Sequence, residues 1–183
     1  MILPRLAELQ SFGFGVFAYD YQGYGTSQGS PSEYNSYRDI NAAYRYLTET
    51  LNISPSHILV YGRSVGSGPS VDLASREAVA ALAVESGFVS TFRVVTRARL
   101  FPFDKFDNLS KMADVYSPVL IIHGTEDEII PFWHGEHLYE AANDPKQSFW
   151  VEGAGHNDLL TVAGDRYPQT LAAFSQIVRK EQR

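Results

Sequence analysis

At 183 residues, 44% apolar and 20% charged, the chain is long enough for one domain with a real hydrophobic core, and its balance is globular rather than disordered. A net charge of −6 argues against a nucleic-acid partner, which needs clustered Lys and Arg, and the absence of cysteine excludes disulfides and thiolate metal sites. No apolar run approaches the roughly 20 residues that span a bilayer, and MILPRLAELQ lacks the apolar core of a signal peptide.

In chain order, Ile2, Leu6 and Leu9 share one helical face, with Leu3 nearby, until Ser11-Phe12-Gly13 interrupts it. Phe14 to Asp20, FGVFAYD, reads as a buried strand, followed by a Gly- and Ser-rich loop. Ser30 as N-cap, Pro31 in the first turn and Glu33 in a capping box open the next helix. Its inner face is Tyr37, Ile40, Tyr44, Leu47 and Leu51, with Arg38, Asp39, Arg45 and Glu49 on the wetter side. Pro55 stops it, and His57 to Tyr61 is the next expected strand. Pro69 to Glu77 reads as a helix and Ala78 to Ser86 as a buried strand. Val89 to Met112 reads as an irregular aromatic and basic stretch with short helices. PVLIIHG, Pro118 to Gly124, is a buried strand, WHGEHLYEAAND a helix, and QSFWVEGAGH a strand leading to a loop. YPQTLAAFSQIVRK closes the chain as an amphipathic helix with Leu171, Phe174, Ile177 and Val178 inward. Alternating strands and helices, with strands as continuous apolar runs, predict an α/β fold: a mostly parallel sheet covered on both faces. Without a linker or repeat, residues 1–183 are expected to form one domain.

The chemistry concentrates in GRSVG, Gly62 to Gly66. The pattern G-x-S-x-G directly follows an expected strand and precedes an expected helix, as a nucleophile elbow requires. Side chains at Gly62 and Gly66 are expected to collide with the neighbouring strand and helix. The Val65 amide can donate to an oxyanion. A serine hydroxyl needs a base to take its proton and a carboxylate to orient that base. LIIHGTEDEIIP places an acidic cluster just after a strand, and EGAGHNDL places His156 in a Gly-rich loop after the last strand, in the order Ser, acid, His. His57 lies at the wrong end of the sheet and His123 reads as structural. His134 and His137 read as a solvated helix face rather than a metal pair.

The segments YDYQGYGTSQG, GRSVGSG, PVLIIHGTEDEIIP and GAGHNDL together resemble the α/β-hydrolase superfamily. Within it they resemble the branch of membrane-associated protein depalmitoylases and related bacterial hydrolases. The resemblance implies Ser64 as nucleophile, His156 as base and Asp127 as acid, with Glu126 and Glu128 less well aimed and Glu85 as a competing acid. It implies that Asp20 holds the YQGYG loop, and that Gln22 replaces an Arg whose charge pair is absent. It implies hydrolysis of a carboxylic ester or thioester through an acyl-enzyme, with no cofactor and no metal. A serine peptidase and a non-catalytic acyl-binding fragment are the alternatives. The expected partner is an acyl substrate, small or carried on a lipidated protein.

Residues 89–112 fall where the superfamily places its lid. Phe92, Leu100, Phe101, Phe103 and Phe106 are there to pack beneath it or line an acyl pocket, and Arg93, Arg97, Arg99 and Lys105 to form its solvated surface, the alternative being contact with an acidic substrate or a membrane headgroup. The superfamily's HGN-type segment, with its second oxyanion donor, does not appear. The expectation is therefore that Met1 lies inside a longer protein, whose missing segment would carry any membrane attachment. The alternative is that Phe14–Tyr19 and His57–Tyr61 close directly on each other.

Overall fold

The computed structural model describes residues 3–96 and 105–181. Four strands, β1 (Leu59–Arg63), β2 (Ala81–Glu85), β3 (Val119–Gly124) and β4 (Lys146–Val151), lie side by side in sequence order. All run parallel, with Val60 opposite Leu82, Val84 opposite Ile121 and Ile121 opposite Ser148. The described residues also form α1 (Leu3–Ser11), α2 (Glu33–Arg45), α3 (Ser67–Ala74), α4 (Thr91–Thr96), α5 (Asn108–Met112), α6 (Trp133–Ala141), α7 (Leu159–Ala163) and α8 (Arg166–Glu181). None of the described helices is long and apolar enough to cross a membrane.

The strand order explains the layering. Parallel crossovers are right-handed, so a sheet running 1-2-3-4 sends all three connections, and with them α3 to α6, over one face. The core there unites Val60, Leu82, Val84, Val119 and Ile121 with Val71, Met112 and Leu138, and α2 adds Ile40 and Tyr44. The other face is left for helices outside the crossovers: Ala81, Ala83, Leu120 and Ile122 pack with Leu159 of α7, Tyr167, Leu171 and Phe174 of α8, and Leu9 of α1. Successive strand residues point to opposite faces, so β2 and β3 are buried at every position. That is why their sequences are unbroken apolar runs. Each fully buried Leu or Ile contributes about 1.5–3 kcal/mol.

The structure corrects several expectations. Phe14–Asp20 has no regular secondary structure and forms no ladder with any described residue, and β1 is the sheet edge. Direct closure onto His57–Tyr61 therefore does not occur. Without a neighbouring strand among the described residues the segment stays only partly buried: Phe14, whose amide donates to the Leu9 carbonyl at 3.4 Å, packs on the α8 side, Tyr19 on the other core, and Phe17, 45% exposed, stacks on Tyr46. The N-cap of α2 is Ser32, not Ser30: its hydroxyl accepts from the Asn35 amide at 3.0 Å. Beyond Arg45 the helix widens into a π-type turn over Tyr46–Thr50, closed by the Leu51 amide on the Tyr46 carbonyl at 3.0 Å. The extra residue per turn rotates Leu51 off the inner face, leaving it 48% exposed. His57 sits in a 3₁₀ turn (Pro55–His57) before β1, and α7 has no counterpart in the sequence reading.

In the stretch 89–112, Val89 is buried and Phe106 meets Tyr37 and Phe88 edge-on. A Cβ on Gly68 would lie 2.2 Å from the Phe106 ring, so this end of the stretch packs directly on α3. Arg97, Arg99, Leu100, Phe101 and Phe103 lie outside the described residues, as do the side chains of Phe92, Leu3, Ile177 and Val178.

Candidate active site

The end of β1 turns sharply. Ser64 has φ +51°, a left-handed conformation that costs a non-glycine residue of order 1–3 kcal/mol. A single 3₁₀ turn, Ser64–Gly66, then feeds α3. The Ser67 hydroxyl donates to the Ser64 carbonyl at 2.7 Å, fixing the turn from inside. The two flanking glycines are not equivalent. A Cβ on Gly62 would lie 2.5 Å from Ser70 Oγ and 2.6 Å from the Gly66 carbonyl oxygen. On Gly66 it would meet only the Tyr21 hydroxyl, at 3.8 Å. The collision expected at both positions exists at Gly62 alone.

Two loops approach Ser64 from β3 and β4. They are fastened together by the Glu126 amide on the Ala154 carbonyl (3.0 Å) and the Gly153 amide on the Thr125 hydroxyl (2.9 Å). A Cβ on Gly124 would lie 2.2 Å from the Ala154 carbonyl oxygen, so only glycine lets the loops meet this closely. The structure thereby brings Ser64, Asp127 and His156 into one line. His156 Nε2 is 3.1 Å from Ser64 Oγ, and its Nδ1 is 2.7 Å from Asp127 Oδ2. Asp127 Oδ1 accepts the amides of Ile129 (3.0 Å) and Ile130 (2.7 Å). Glu126 and Glu128 are exposed, although Glu128 accepts the His156 amide at 3.3 Å.

Burial pushes the Asp127 carboxyl up. The His156 hydrogen bond, the Ile130 amide and the imidazoles of His156 and His123 outweigh it, so the net shift is below the ordinary carboxylate value. Asp127 is therefore held as a carboxylate, the form that orients an imidazole and stabilises its cation.

Glu85 has other partners. It is fully buried, and its Oε2 accepts Arg5, the Tyr61 hydroxyl (2.5 Å) and the Tyr167 hydroxyl (2.6 Å). Burial first, then the Glu85 charge, pushes Tyr61 well above the usual phenol value, so both phenols remain donors.

Among the other histidines, His123 is buried, with Nε2 2.8 Å from the Ile130 carbonyl it donates to. His134 is not on a solvated face: it is fully buried, stacked on Trp133, and accepts the Val89 amide at 3.2 Å. Burial, then the charges of His123, His137 and Arg93, push it down to about 4. His137 is exposed. The α6 sequence alternates too irregularly for periodicity to show which of the two turns inward.

Beside the elbow is an open cavity of about 240 Å³, lined by Tyr21, Tyr24, Pro31, Val65, Lys105 and Phe106 among others. It reaches Val65 but not Ser64 or His156. Its wall is held by Gln22, whose backbone amide (2.9 Å) and side-chain amide (2.7 Å) occupy both oxygens of Asp39. Asp20 sits beneath Gly25, where a Cβ would lie 2.0 Å from its carboxylate, and Ser27 bonds the Asp20 carbonyl at 2.9 Å.

A family model described as serine aminopeptidase, S33, matches residues 4–99. The chain is 44% identical over 186 residues to alpha/beta hydrolase domain-containing protein 17B of Xenopus laevis, covering 96% of this chain and 63% of that protein. It is 46% identical over 169 residues to alpha/beta hydrolase domain-containing protein 17C of Mus musculus, covering 91% of this chain and 51% of that one. The chain thus spans less than two thirds of the length of these curated relatives. An esterase of Pyrococcus furiosus superposes with a TM-score of 0.81 at 18% identity, covering 96% of this chain and 75% of that chain. A monoacylglycerol lipase of Paleococcus ferrophilus superposes at 0.72 with 19% identity, covering 97% and 88%.

Proposed function

The chain belongs to the α/β-hydrolase superfamily, in the serine aminopeptidase S33 family, and from that premise we propose that it is a serine hydrolase acting on a carboxylic ester or thioester. The observation that carries this reading is the line Ser64 Oγ, His156 Nε2, His156 Nδ1, Asp127 Oδ2, with links of 3.1 Å and 2.7 Å.

His156 Nε2 removes the Ser64 proton as Oγ bonds to the acyl carbon. The carbonyl π electrons move onto oxygen, where the Val65 amide donates to them. That amide is in the first turn of a helix, where no upstream carbonyl claims it. The imidazolium, paired with Asp127, hands its proton to the departing alkoxide or thiolate. Water then attacks the acyl-enzyme, giving its proton to His156, and Ser64 leaves with that proton as the free acid is released. The cavity beside Val65, with Phe106 and Tyr24 in its wall, is the place for part of the acyl or leaving group. An acyl group on a protein or on a small molecule fits this chemistry equally. The description of the matching family favours a second reading, cleavage of an aminoacyl amide.

Ser64→Ala is expected to abolish labelling by a fluorophosphonate probe and hydrolysis across a panel of acyl esters, thioesters and aminoacyl amides. Hydrolysis that survives Ser64→Ala would refute the assignment. The panel itself separates esterase, thioesterase and peptidase.

A further inference from the structure

Arg63, between Gly62 and Ser64 in the elbow, has no part in the mechanism above. Its Nη2 donates to the His156 carbonyl (2.5 Å) and to Asn157 Oδ1 (3.2 Å). Its Nε lies 3.3 Å from Glu85 Oε1, the guanidinium side chain being 28% exposed and the carboxylate fully buried. Both of those atoms are buried and lack an aligned hydrogen bond, so the pair is held by charge.

We propose that Arg63 is a positioning residue for the His156 base, resting on the reading of Ser64 and His156 as nucleophile and base. Ser64 immediately follows β1 and His156 follows β4, the opposite edges of the four-stranded sheet. Three strand spacings of roughly 4.8 Å separate those edges. A small loop displacement is therefore enough to open the Nε2–Oγ contact. Besides the Ser64 contact itself, three tethers from the described residues hold His156: Asp127 takes its ring, Glu128 its amide and Arg63 its carbonyl. Only the third comes from β1, the strand that presents the nucleophile. It ties the base directly to the residue before Ser64.

Arginine suits this task because one planar fork reaches a carbonyl, an amide oxygen and a carboxylate together. Its charge would oppose the imidazolium formed during acylation, and Glu85 offsets it. The other oxygen of Glu85 is taken by Arg5 of α1, Tyr61 of β1 and Tyr167 of α8, so the anchor of Arg63 is itself fixed from three elements.

The test compares Arg63→Met and Arg63→Lys with the unaltered chain. It measures the fluorophosphonate labelling rate, the thermal midpoint, and the NMR signal of the His156 Nδ1 proton in its bond to Asp127. Because a displacement near 1 Å can lower rates about 10²-fold, Arg63→Met is expected to label roughly 10- to 100-fold more slowly and to broaden or lose that signal, with sheet amide resonances kept. Arg63→Lys, which retains the charge facing Glu85 but not the fork, is expected to fall between. A Met variant that labels within twofold of the unaltered chain and keeps the Nδ1 signal overturns the proposal. If the Met variant does not fold, a Lys variant at the unaltered rate overturns it alone. If the unaltered chain fails to label, the serine hydrolase reading falls, and the NMR comparison still decides the tether.

Discussion

Glu85 ends β2 and Asp127 follows the neighbouring β3 by three residues, so two buried carboxylates stand at the same end of the sheet. Asp127 divides its oxygens between His156 and two backbone amides, and its position is set by a loop fastened to the loop of the base. Glu85 divides its oxygens between Arg63 on one side and Arg5, Tyr61 and Tyr167 on the other. On the proposed mechanism the same functional group serves chemistry in one place and anchoring in the other. The difference comes from what surrounds each carboxylate: an imidazole in one case, cations and phenols in the other.

The contrast is broken most directly by removing each charge in turn. Asp127→Asn should lower turnover about 10⁴-fold, the magnitude found when a triad acid becomes an amide and the base is held in the wrong tautomer. Its thermal midpoint should change little, because Asn Oδ1 can still accept the Ile129 and Ile130 amides. Glu85→Gln should do the opposite. It leaves Arg5 and Arg63 facing a neutral amide and is expected to destabilise by about 3 kcal/mol, the low end for breaking a buried ion pair, since Arg63 is 28% exposed. Its turnover should fall far less than that of Asp127→Asn. Urea unfolding and ester hydrolysis on the same two variants decide this. If Glu85→Gln loses as much turnover as Asp127→Asn, the division of roles is wrong.

A smaller effect separates them with pH. The folded-state value of Asp127 lies below its unfolded one. Its contribution to stability is therefore fully present above the unfolded value near 3.9 and is lost as pH falls through the folded value. The stability gap between the unaltered chain and Asp127→Asn should be flat above about pH 5 and change progressively below about pH 4. A gap that stays constant into strong acid would mean that Asp127 is not held as a carboxylate by its partners.

Much of this was legible in the amino-acid sequence. The β3 run PVLIIHG announced a central strand because burial on both faces demands apolar residues at every position, and the elbow announced itself because a strand, a short Gly-flanked turn and a helix are local features. Other parts could not be read locally. FGVFAYD has the composition of a strand, yet a strand exists only where a neighbouring strand takes its backbone hydrogen bonds, and none of the described strands does. Gly62 and Gly66 look alike in GRSVG, but only Gly62 faces the Ser70 side chain. His134 and His137 share one helix and differ in burial because α6 packs one side of itself against the sheet.

The sequence by itself determined the layered α/β architecture, the strand-to-helix turn around Ser64 and the Gly-rich setting of His156, because each follows from periodicity or backbone sterics within a few residues. Only the tertiary structure decided which carboxylate meets the imidazole and which is locked to arginines and tyrosines. That choice depends on how β2, β3 and β4 are spaced and which loops they bring within a hydrogen bond of one another, distances that no local stretch of sequence encodes.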